Sequence, residues 1–179
     1  ERLGSDSVPL ISWLKHQQRD EFWQHGSVCE DYDAIDCAVY AVGGWTDGYT
    51  DAIFRLMENL KSPRRALIGP WTHVYPHFGF PGPAIGFLQD SLRWWDHWLK
   101  DEPNGIEKEP MLNIWMQENF KADASNPTVE GDWFGLDNWP LIGQNTKAYW
   151  LTGSKLDIHT GEELPTTIQS PTTSGFNGG

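Results

Sequence analysis

Cys37-Ala38-Val39-Tyr40-Ala41-Val42 is a short, nearly unbroken apolar run closed by Gly43-Gly44, and Arg65-Ala66-Leu67-Ile68 repeats the form before Gly69-Pro70. A run without polar alternation reads as a strand covered on both faces, the habit of strands central to a parallel sheet. Between the two, Ile53, Phe54, Leu56, Met57 and Leu60 recur at helical spacing from about Thr50 and stop near Ser62-Pro63. Strand, helix and strand in that order fit a right-handed parallel crossover, so the fold class is α/β.

Upstream, Pro9 opens a stretch to residue 25 that carries Leu10, Ile11, Trp13, Leu14, Phe22 and Trp23 among polar neighbours, which predicts one or two amphipathic helices. Downstream, a Gly/Pro-rich loop from Tyr75 to Pro83 precedes a predicted helix over 87–100. Leu88, Leu92, Trp95 and Leu99 form its expected core face, widened by Trp94 and Trp98. The texture changes at Pro103-Asn104-Gly105. Beyond it, the stretches Met111–Met116 and Ala148–Leu151 read as short strands, so a β-rich domain is expected from near residue 110. Pro165 to Gly179, rich in Thr, Ser, Pro and Gly, reads as irregular, and no internal repeat is visible.

Composition narrows the function classes. Eleven Trp, 8 Phe and 5 Tyr in 179 residues are too much apolar bulk for a disordered chain. Thirteen Lys and Arg against 25 Asp and Glu leave a net charge of −12, which argues against nucleic acid and anionic membranes as partners. No apolar stretch approaches the roughly 20 residues of a membrane helix, and the opening ERLGSDSVPL lacks a basic start and an apolar h-region. Soluble material is expected, the compartment being open with the cytoplasm favoured. Cys29 and Cys37 lack C-x-x-C spacing and read as ordinary thiols, a single disulfide being the other option. Asp6, Asp31, Asp33 and Asp36 miss the register of a calcium loop, so neither metal nor cofactor is expected.

Two loops hold the candidate chemistry, Gly43-Gly44-Trp45-Thr46-Asp47-Gly48 and Gly69-Pro70-Trp71-Thr72-His73, each at the carboxyl end of a predicted parallel strand. Catalytic groups of open α/β sheets collect at that edge. An Asp that accepts the Nδ1 proton of a His fixes its tautomer and stabilises the imidazolium formed when Nε2 takes a proton. Taken singly, an Asp in a Gly-rich turn is more often a turn former or helix cap. His77 reads as a surface or stacking residue, His97 as a helix-surface residue, and His16, His25 and His159 show no partner pattern.

The ordered motifs Asp20-Glu21-Phe22-Trp23, Tyr32-Asp33-Ala34-Ile35, the two loops above and Phe87 to Lys100 together resemble the cocaine-esterase and X-prolyl dipeptidyl-peptidase (CocE/NonD) family of serine hydrolases. Trp133, Trp139-Pro140 and Tyr149-Trp150-Leu151-Thr152 look like the opening of that family's jelly-roll domain. The resemblance implies the end of a helical cap over 1–30, the C-terminal part of an α/β-hydrolase core over 31–102 and the start of a β jelly-roll over 110–179. It implies that Asp47 is the triad acid and His73 the base, in the α/β-hydrolase order in which Ser comes first. No Ser here stands in a G-x-S-x-G elbow: Ser5 and Ser7 lie in a polar N-terminus, Ser12 on a helix and Ser62 before a Pro. The expectation is therefore an internal fragment of an acyl esterase, acylase or X-Pro peptidase, inactive alone, whose full enzyme takes a small acyl ester, amide or peptide. Unpaired strand edges make self-association an expectation too. The competing reading is a non-catalytic Trp-rich module that binds a carbohydrate or a partner protein. The Asp47–His73 distance separates the two.

Overall fold

The computed structural model describes residues 9–119, 125–145, 147–152 and 155–158. Residues 1–8 of the expected cap region, and the tail from Pro165, lie outside them. Helices α1 (Pro9–Lys15) and α2 (Glu21–Gln24) are followed by strand β1 (Val39–Gly44), helix α3 (Thr50–Asn59), strand β2 (Arg64–Gly69) and helix α4 (Phe87–Lys100). Strands β3 (Leu112–Gln117), β4 (Gly131–Leu136), β5 (Trp150–Thr152) and β6 (Lys155–Asp157) complete the series.

One sheet has the order β1-β2-β3-β4, with β1, β2 and β3 parallel and β4 antiparallel to β3. The register Tyr40 to Arg65 and Gly44 to Gly69 brings the ends of β1 and β2 level. Two expectations change here. The β-rich part was placed after a break near residue 110, yet β3 and β4 extend the α/β sheet itself, because Leu112 and Ile114 face the same core as Ala66 and Ile68. Only the small β5–β6 hairpin stands as a separate sheet among the described residues. The apolar run 37–42 was read as a central strand, but β1 is an edge strand of the described sheet and only half-buried before Gly44, whereas β2 is buried from Arg65 to Gly69. An apolar run reports what a strand is suited to lie against, and cannot report whether the neighbour is in the same chain segment.

The pleat sends alternate side chains to opposite faces, and the two helices use them separately. Ile53 and Met57 of α3 pack with Ala66, Ile68, Leu112 and Ile114, and Ala41 borders this cluster. On the other face, Tyr40 lies 5.4 Å from the ring of Trp94 on α4. Polar bonds reinforce that contact: the Tyr40 hydroxyl donates to Asp90, and the buried Arg65 reaches Asp90 at 3.0 Å and Glu109 at 2.9 Å. These contacts decide which side of α4 is inside. Trp94 is 3% exposed, while the predicted core stripe faces out, with Leu88 at 59%, Leu92 at 56%, Trp95 at 51% and Leu99 at 72%. The apolar side chains cover about half of the helix circumference, with Trp94 at one margin beside Asp90 and the Leu stripe at the other, so spacing alone cannot choose which margin is inside.

Candidate active site

Strands β1 and β2 end in the two glycine-containing loops, and backbone bonds zip these loops together. The Trp45 amide donates to the Gly69 carbonyl at 2.9 Å and the Thr46 amide to the Trp71 carbonyl at 3.2 Å. The Thr46 hydroxyl adds a bond to the Pro70 carbonyl at 3.1 Å. This closeness requires glycine at position 44, where a Cβ would lie far inside contact distance of the Trp71 carbonyl oxygen. Thr50, the first residue of α3, donates its hydroxyl back to the Gly44 carbonyl and to that of Asp47. The acid loop is thus held between β1 and the start of α3.

Asp47 and His73 meet across the zipped loops, with Oδ2 of Asp47 2.8 Å from Nδ1 of His73. Oδ1 accepts the Tyr49 amide at 3.0 Å, so both carboxylate oxygens are engaged. Since a carboxylate only accepts, His73 donates from Nδ1 and leaves Nε2 free to take a proton. The Asp47 side chain is 11% exposed and that of His73 80%. Burial, the largest single influence on the Asp47 carboxyl, works to raise its pKa, but the His73 bond and the Tyr49 amide outweigh it and hold the group below the ordinary carboxylate range. The Tyr49 ring stands edge-on to the imidazole at 5.9 Å. Beside the pair opens a cleft of about 380 Å3, walled by Val42, Val74, Tyr75, Pro76 and Phe87.

The other candidates fall elsewhere. His77 stacks against Tyr75 and Phe87 and its buried Nδ1 has no hydrogen-bond partner. His97, expected on a helix surface, has a side chain only 19% exposed and places Nδ1 3.1 Å from the Glu102 carbonyl oxygen. The sequence reading missed the partner of His16, whose Nδ1 lies 2.6 Å from Asp20. Their i, i+4 spacing was the available signal, although the chain breaks between α1 and α2 there. Cys29 and Cys37 are both free and exposed. Ser62 stands just before β2, at the far end of that strand from His73, roughly 20 Å along an extended chain.

An Asp and a His thus meet on neighbouring strand ends of a parallel sheet, the edge where functional groups of open α/β sheets collect. The sequence model of the X-Pro dipeptidyl-peptidase (S15 family) matches residues 2–75. The chain is 22% identical over 161 residues to cocaine esterase of Rhodococcus sp. (strain MB1 Bresler), covering 81% of this chain and 26% of that protein. Two crystal structures of a CocE/NonD family hydrolase from Staphylococcus aureus share its fold with TM-scores of 0.64 and 0.60, at 14% identity and over 84% of this chain. The resemblance read from the motifs therefore stands, and this chain spans about a quarter of the length of these relatives.

Proposed function

We propose that this chain supplies the acid and the base of a serine hydrolase of the acyl-esterase, acylase or X-Pro peptidase type, the nucleophile belonging to a part of a longer protein outside these 179 residues. The observation that carries the proposal is the Asp47–His73 bond of 2.8 Å, within the reach a base and its orienting acid require. A Trp-rich binding module would have no need of that alignment. Similarity to hydrolases in sequence and in fold supports the same reading.

In the mechanism, Asp47 accepts the Nδ1–H hydrogen bond and holds the imidazole with Nε2 toward the cleft. His73 takes the proton of a seryl hydroxyl as that oxygen attacks an ester or amide carbonyl, then returns it to the leaving group. Water activated by the same Nε2 releases the acid in the second half. Asp47 remains ionised throughout and stabilises the imidazolium. On this reading α1 and α2 belong to the end of a helical cap, and β5 and β6 to a jelly-roll domain. The test is the longer protein: it should label with a fluorophosphonate and hydrolyse acyl esters. A longer protein that does neither, though folded, would refute the assignment.

A further inference from the structure

We propose that Trp71 is the positioning residue of the Asp47–His73 pair, the side chain that brings the base loop onto the acid loop; this rests on reading that pair as base and orienting acid. His73 is 80% exposed, and its described contacts are Asp47 and the edge of Tyr49. Its aim must come from the residues before it. Trp71, two positions earlier, is 1% exposed, and its indole N–H donates to the Pro83 carbonyl at 2.8 Å. Glycines leave the space for its ring. A Cβ at Gly69 would stand 2.5–2.6 Å from three ring atoms, and one at Gly79 would collide with Nε1.

With its ring fixed in that slot, Trp71 presents its carbonyl to the Thr46 amide of the acid loop. Thr72, between Trp71 and His73, is pinned in turn through its amide and hydroxyl to the Phe80 carbonyl, at 2.8 and 3.0 Å. Trp71 therefore ties three segments together: the return loop by its indole, the acid loop by its carbonyl and His73 by the chain. The consequence is chemical as well as structural. An exposed imidazole without a partner populates both neutral tautomers, whereas one held against Asp47 keeps its proton on Nδ1.

Nitrogen-15 NMR of the histidine side chains in the unmodified chain, in mildly alkaline buffer, reads the tautomer directly. The expected spectrum shows His73 as the Nδ1–H form. A mixed or Nε2–H spectrum in the unmodified chain would overturn the acid–base reading itself. Trp71→Phe keeps a ring but loses the Pro83 bond, and Gly79→Ala displaces the indole without altering it. In either folded variant His73 should become a mixture of tautomers. A folded variant that keeps pure Nδ1–H would overturn the role of Trp71 alone, since a merely structural tryptophan would lower Tm without moving the tautomer. Should neither fold in buffer alone, trimethylamine N-oxide drives the variants to the folded form, where a mixture of tautomers is again expected and pure Nδ1–H would overturn the proposal.

Discussion

Asp47 carries two duties, one on each carboxylate oxygen. Through Oδ1 it closes the turn onto Tyr49, the ordinary work of an Asp in a glycine-rich loop, and through Oδ2 it meets His73. The turn closure and the bond to His73 therefore belong to one carboxylate. Because its folded pKa is held below the ordinary range, its contribution to stability is complete above about pH 4 and disappears as the pH falls through the lower folded value. Asp47→Asn should accordingly cost no more than about 1 kcal/mol in urea unfolding at pH 7, since His73 is largely exposed, and the gap between variant and parent should close in acid. An equal gap at both pH values would assign the loss to packing. Its effect on catalysis in the longer enzyme should be far larger, about 10⁴ in kcat, because an amide favours the wrong tautomer while preserving shape.

Among the elements, α4 separates what a sequence can disclose from what it cannot. Its existence and bounds over 87–100 follow from apolar spacing, but its inward side is chosen by partners remote in the chain: Tyr40 and Arg65 on the sheet, and Glu109 beyond the helix. Trp94→Ala should cost about 3–5 kcal/mol and Trp95→Ala under about 0.5 kcal/mol, measured by chemical denaturation. Equal costs would mean that both faces of α4 are buried in solution. The same division runs through the fold. The parallel pair β1 and β2, the crossover α3 and the strand over 111–116 were legible because short apolar runs and helical apolar spacing are local features of the sequence. That β3 and β4 continue the sheet was not, because pairing depends on residues that come together only in the folded chain. The pairing of Asp47 with His73 was legible from residue type and strand end. The slot that holds Trp71 was not, since Gly69, Gly79 and Pro83 give no signal of an indole between them.

At the scale of the whole molecule, the chain spans about a quarter of the length of the hydrolases it resembles and holds an Asp and a His together at one sheet end. On the proposed reading, this chain alone should hydrolyse p-nitrophenyl acetate no faster than a general base acting weakly on water, because no Ser in its sequence stands in a G-x-S-x-G elbow. Turnover abolished by a serine-directed phosphonate would reveal a nucleophile within these 179 residues. The most direct test of the central claim is kcat for an acyl ester in the longer protein, compared between His73→Ala and His77→Ala. His73→Ala should lower kcat by several orders of magnitude, the serine having lost its base, and His77→Ala, stacked among aromatic rings, should cost far less. Near-normal kcat for His73→Ala with a crippled His77→Ala would contradict the account.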